Sequence, residues 1–155
     1  MTIVVDELYD GVVFTQNFKI NRSIQLAHFR PWIVKWGSIT SGDLVLQVLK
    51  DDEVLKEVKI NYVDINAAIT ATYFHGQIRF DTMPLQLNHD HRLESTEYQV
   101  KLFMESSTFD DNNFIGTVRR YEHKFYELYG DGALNNEAPN DMVEPLGFEL
   151  FEYTY

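Results

Sequence analysis

Between Tyr73 and Phe80 the chain alternates strictly, with Phe74, Ile78 and Phe80 in one phase and His75, Gln77 and Arg79 in the other. A two-residue period puts successive side chains on opposite faces of an extended chain, so this segment reads as a half-buried strand. The same period returns in Tyr98, Val100, Leu102 and Met104, and earlier in Phe14, Phe18 and Ile20. Several strands that each offer one apolar face need a second layer to cover it. The fold class expected is therefore all-β: two antiparallel layers, as a β-sandwich or barrel without long helices, with long C-terminal loops.

The chain of 155 residues fits a single domain, and its 45% hydrophobic content suffices for a core that buries roughly 70% of the unfolded surface. The formal charge of -11, from 24 acidic and 13 basic residues, opposes the electrostatic attraction on which phosphate-backbone binding depends. Direct nucleic-acid binding is not expected. From Tyr121 onward there are eight carboxylates against the single Lys124, a solvated acidic surface that also suits cations or a basic protein face. Without cysteine there is neither disulfide nor thiol chemistry, and a reducing cytoplasm or a cysteine-free extracellular particle fits equally. The opening Met1 to Glu7 lacks the basic and apolar regions of a signal peptide, and no stretch approaches the ~20 apolar residues of a membrane helix. No membrane insertion is expected.

Along the chain, residues 1–11 read as an N-terminal arm or edge strand and Val12 to Ile20 as the first alternating strand, with a turn at Asn21-Arg22-Ser23. Ile24 to Trp36 has strand composition, but Pro31 lacks a ladder donor, which calls for an edge position, a bulge or a break. Leu44 to Leu49 and Val54 to Ile60 flank Lys50-Asp51-Asp52-Glu53 in the pattern of a hairpin. Asp64 to Ile69 can form one helical turn capped by Asp64. Pro84 to Leu87 reads as a short extended piece, Glu97 to Met104 as a strand, Asp110 to Asn113 as a turn and Gly147 to Tyr153 as the last strand. Residues 120–146, rich in Asn, Asp, Gly and Pro, exceed the usual loop of ~4 to 6 residues and form the expected irregular binding region.

The order of these elements is recognisable. Thr40-Ser41-Gly42-Asp43-Leu44-Val45-Leu46-Gln47-Val48 leads to Ile65-Asn66-Ala67-Ala68-Ile69, then to Phe80-Asp81-Thr82-Met83-Pro84-Leu85-Gln86-Leu87 and Ser95-Thr96-Glu97-Tyr98-Gln99-Val100-Lys101-Leu102. The sequence here resembles jelly-roll β-sandwich modules of the galactose-binding-like type, found in phage virions and surface proteins, over about Val12 to Tyr153. The resemblance implies attachment to glycans, to other virion subunits or to enzymes as an accessory domain, without catalysis by the module itself. It also implies that a structural calcium can occur, although no ligand motif of those modules matches this chain residue by residue.

Candidate sites follow from residue chemistry. Phe29, Arg30, Trp32, Lys35 and Trp36 concentrate aromatic and cationic groups suited to sugar stacking, protein contact or a cation–π pair, with one Trp expected in the core. Tyr121, Phe125, Tyr126 and Tyr129 recur at helix-like spacing, and Tyr153 and Tyr155 lie near the terminus with Phe148 and Phe151; aromatics of this kind anchor subunit contacts or pack over the end of the fold. His89 and His91 flank Asp90 and are weak candidates for a transition metal, for which the set lacks ligands. Asp110 and Asp111, with Asn112 and Asn113, carry the oxygen ligands calcium prefers but not the full loop motif, and read first as an Asx turn. No catalytic residue and no cofactor is expected: the chain contains no nucleophile elbow, zinc-protease helix motif or phosphate-binding glycine loop.

The function expected is that of a non-enzymatic virion subunit, whether capsid decoration, neck or tail-associated, contacting other virion subunits as a homo- or hetero-oligomer assembled in the host cytoplasm. A glycan-binding host-attachment module is the alternative. A carbohydrate-active hydrolase ranks third, since paired carboxylates such as Glu94 and Glu97, or Asp131 and Glu137, make a glycosidase only at a particular separation in space.

Overall fold

The computed structural model describes residues 3–8, 12–69, 74–78, 80–106, 109–110, 112–120, 132–134 and 148–152. The strands among them are β1 (Ile3–Glu7), β2 (Val13–Ile20), β3 (Ile24–Trp36), β4 (Asp43–Lys50), β5 (Glu53–Asn61), β6 (Phe74–Gln77), β7 (Phe80–Leu87), β8 (Thr96–Glu105), β9 (Phe114–Arg120), β10 (Gly132–Leu134) and β11 (Phe148–Glu152). One short helix, α1 (Tyr62–Ala68), follows β5. Every pairing is antiparallel, so the expected all-β class holds at that level.

The pairings define two sheets. One has the order β10-β2-β8-β4-β5; the other runs β1-β9-β3-β11, with β6 and β7 also on β3. Inward phases from both contribute to one hydrophobic cluster: Phe14, Phe18 and Ile20 of β2, Leu44, Leu46 and Val48 of β4, and Tyr98, Val100, Leu102 and Met104 of β8 join Ile24, Leu26, Phe29 and Ile33 of β3, Phe80 and Leu87 of β7, and Ile115 of β9. Each fully buried Leu, Ile or Phe contributes about 1.5–3 kcal/mol.

The β4–β5 hairpin forms as the sequence requires. Lys50 pairs with Glu53, leaving Asp51 and Asp52 as a two-residue loop with φ of 50° and 65°. Positive φ at both central positions is the condition for a turn whose twist matches the strands, and Asp tolerates it better than most residues. The helix differs in its cap. Asn61, not Asp64, caps α1, its side chain accepting from the Val63 N–H at 3.2 Å; Asp64 sits in the first turn, where its charge faces the positive end of the helix dipole.

Pro31 produces a different outcome from an edge position. It lies inside β3, which has partners on both flanks. The Pro31 carbonyl accepts from the Ile78 N–H at 3.3 Å, and the N–H and C=O of one strand residue point to the same side, so the donor that proline lacks would face Ile78 too. There the partner strand is interrupted: β6 pairs with Trp32–Lys35 and β7 with Ile24–Phe29. The single strand expected from Tyr73 to Phe80 is thus split at the seam opposite Pro31. On the other flank Phe148 lies opposite Pro31 in a pair that exchanges no hydrogen bond, where proline is tolerated.

Two strands lie where the sequence pattern indicates none: β9 follows the 110–113 turn without an alternating apolar phase, and β10 falls inside the stretch expected to be irregular. Gly37 explains how the chain leaves β3. Its φ is +71°, and a Cβ there would lie 2.2 Å from the Asn112 carbonyl oxygen and 2.4 Å from Asn113 Oδ1. Replacing Gly37 with Ala is expected to destabilise the fold by about 2 kcal/mol, from the left-handed backbone and the clash together, read as a lower midpoint in urea unfolding with an unchanged slope.

Candidate functional surfaces

The exposed aromatic surface is built by β3 and β9. Trp36 lies opposite Phe114 and their rings stack at 5.6 Å with planes 10° apart, while Trp36 keeps 36% of its surface exposed. One indole face is thereby held flat by Phe114, which orients the side chain at small entropy cost. Arg30 and Trp32 are placed by register alone, opposite Glu149 and Gln77. Phe29 is wholly buried in the core. Tyr121, Phe125, Tyr126, Tyr129, Tyr153, Tyr155 and Asp111 lie outside the described residues.

Lys35 is not a surface cation. It is 2% exposed, opposite Ile115 and in phase with the core residue Ile33, and its Nζ donates to Asn66 Oδ1 at 3.3 Å. Burial holds its pKa below the ordinary lysine value, since the charged form is the one that loses solvation. Asn66 does more than receive this proton. Its Oδ1 also accepts from the Ile39 N–H at 3.1 Å and its Nδ2 donates to the Ile39 carbonyl at 2.7 Å, so one amide ties α1 to the segment after β3 as a neighbouring strand would.

The two histidines of the 88–96 segment meet edge to face, with ring centroids 5.3 Å apart. Asp90 between them is held by Arg92. Its carboxylate accepts from Arg92 Nε at 3.0 Å and Nη2 at 2.8 Å, and from the Arg92 N–H, which together keep its pKa below the usual carboxylate range. His89 Nδ1 lies 2.9 Å from Thr96 Oγ1, which also accepts from the Asp90 N–H at 2.7 Å. Tyr98 completes the fastening: its hydroxyl accepts from the Asn88 N–H and donates to the Asn88 carbonyl, both at 2.8 Å. Among the described residues no group of three or more His, Cys, Asp or Glu converges on a metal position.

Asp110 and Asn113 form an isolated bridge. Asp110 Oδ1 accepts from the Asn112 N–H at 2.8 Å and from Asn113 Nδ2 at 3.1 Å, and those hydrogen bonds hold its pKa low. Asn113 Oδ1 in turn accepts from the Ser38 N–H at 3.1 Å. The carboxylate closes an Asx turn, and the turn anchors the exit of β3.

A last surface lies along β5, the edge of the five-stranded sheet. Lys59 Nζ meets Glu105 Oε2 at 2.8 Å and Glu57 Oε1 at 3.7 Å, and the Glu105 contact raises its pKa. Lys59 lies opposite Val45 on β4, whereas Glu105 is on β8 beyond it, so the lysine side chain reaches across β4 to its partner. Gln47 Nε2 donates to Glu57 Oε2 at 2.6 Å. Sequence reading missed Phe114, Asn66 and this edge. Only Phe114 had a signal, an aromatic directly after a turn cluster; the others depend on pairings between distant segments.

No family model matches the chain, and neither a curated protein nor a solved structure gives a match.

The Lys35–Asn66 pair gives a prediction in two parts. Asn66→Ala leaves a buried ammonium and two backbone groups without their partner and is expected to cost about 3 kcal/mol. Lys35→Met keeps the stem volume and removes the charge, with an expected effect between neutral and about 1 kcal/mol stabilising. Because the folded pKa of Lys35 is depressed, the unfolded chain binds the extra proton and the burial penalty fades as pH rises through the folded value towards the ordinary one. Denaturant stability of the parent should therefore converge on that of Lys35→Met from neutral to alkaline pH.

Proposed function

We propose that this chain is a non-enzymatic structural subunit of a virion, a jelly-roll-like β-sandwich that acts through protein–protein contacts in a decoration, neck or tail-associated position. The observation that carries the reading is how the side chains divide. Polar groups of the types that do chemistry are engaged with neighbours in the protein: His89 with Thr96, Asp90 with Arg92, Asp110 with its own turn and Lys35 with Asn66. The outer surface meanwhile carries Trp36, Val54, Leu55, Val63 and Leu93, the kind of exposed apolar side chain that interfaces bury. The resemblance to virion modules supplies the setting.

A tagged chain expressed in an infected host is expected to co-sediment with gradient-purified particles at a reproducible copy number. Failure to enter particles, by a chain shown to be folded, overturns the reading. Trp36→Ala should weaken incorporation by about 2 kcal/mol, the cost typical of an interface tryptophan.

The second reading is glycan attachment, favoured by one observation: a Trp36 ring fixed by stacking and still exposed. It predicts glycan-array binding that Trp36→Ala abolishes. No array signal from folded protein, with or without calcium, counts against it.

A further inference from the structure

The edge of the five-stranded sheet has properties that select a partner. The Tyr62 N–H donates to the Gly42 carbonyl at 2.9 Å, and residues two apart in a strand direct their backbone groups to the same side, so Ile60, Val58 and Lys56 also face β4. Glu57, Lys59 and Asn61 therefore direct N–H and C=O outward. Among the described residues no strand pairs with β5 on that side. Glu57 and Lys59 are exposed, and the strand contains no proline.

We infer that a second copy of this chain docks on β5, antiparallel and centred on Val58, joining the two five-stranded sheets into one continuous sheet. This rests on the reading of the chain as an assembly subunit and names the surface it uses. The charge pattern chooses the register. Hydrogen-bonded pairs must be drawn from the outward-facing residues, which leaves few self-pairings. Centring on Glu57 sets that residue opposite its own copy, and centring on Lys59 does the same for the lysine; like-charged residues directly opposite are destabilising. Centring on Val58 places Glu57 of each copy against Lys59 of the other, and each of these pairs exchanges both backbone hydrogen bonds. On the core-facing phase the same register puts Val58 against Val58 and Lys56 beside Ile60. Val58 and Ile60 are half-buried and already packed against the core cluster, so the apolar layer extends across the junction. The lysines that usually protect a sheet edge from indiscriminate pairing here permit one register and disfavour its neighbours.

Sedimentation velocity of the full chain over a concentration series tests the proposal. The expected result is a reversible monomer–dimer equilibrium. Glu57→Lys alone, or Lys59→Glu alone, should weaken the dimer about tenfold or more, since each sets like charges together twice; the double swap Glu57→Lys/Lys59→Glu should restore it. Glu57→Pro removes an outward N–H that no described residue accepts and should abolish the dimer, with the fold checked by circular dichroism and thermal melting. A chain that stays monomeric throughout, or a dimer indifferent to both the charge reversals and Glu57→Pro, overturns the proposal. Incorporation into particles is measured independently, so a β5 dimer that never enters particles removes the virion reading alone, and a monomer that does enter them removes the β5 inference alone.

Discussion

The fold depends on β3 being hydrogen-bonded along both flanks. This 13-residue strand takes β7 and then β6 on one side and β11 and then β9 on the other. Both changes of partner fall around Pro31, where one missing donor is directed at an interrupted neighbour. A bulge between Leu26 and His28 shifts the phase of the strand, which is how Ile24 and Leu26 share the core with Phe29 and Ile33. The sheet is thus assembled from segments far apart in sequence and held in register by a single template.

Around that template, side chains replace backbone ladders where strands stop. The Asn66 amide meets both backbone groups of Ile39, Asp110 closes the turn before β9, and the Tyr98 hydroxyl meets both backbone groups of Asn88. Buried backbone groups must be satisfied by something, and here short polar side chains do it at each end of the layers. The same use accounts for His89 and Asp110, which read as candidate ligands in sequence and have atoms directed at Thr96 and at the 112–113 turn. The surface left over is aromatic at Trp36 and apolar and charge-alternating along β5.

Much of the β architecture was legible because a period of two survives wherever one face is buried. β2 and β8 show it cleanly, and the acidic turn between β4 and β5 marks its own hairpin. The period fails where both faces are covered, as at Ile33, Val34 and Lys35, all buried, and at Gln16, which sits in the core phase of β2 with its Nε2 donating to the Asn17 carbonyl at 2.7 Å. β9 was obscured for a related reason: its Gly116-Thr117 centre interrupts any apolar pattern. The candidate surfaces were less legible. Trp36 was named from composition, but its stacking on Phe114 requires β3 and β9 to be adjacent, and the helix cap moved from Asp64 to Asn61 because β5 runs directly into α1. No local pattern states which strands will be neighbours.

The strand order also bears on how the chain reaches this state. Among the described pairings only β4 with β5 joins consecutive strands; every other ladder closes a longer loop before it yields a contact. Such topologies fold slowly, because loop closure precedes the contacts that reward it. On a ribosome the asymmetry is sharper. The β4–β5 hairpin can form as soon as it emerges, whereas the first half of β3 lacks its second partner until β11, more than a hundred residues further on, has been made. Throughout that interval of synthesis the nascent chain carries an open sheet edge, so its vulnerability to mispairing is set by translation time as much as by stability.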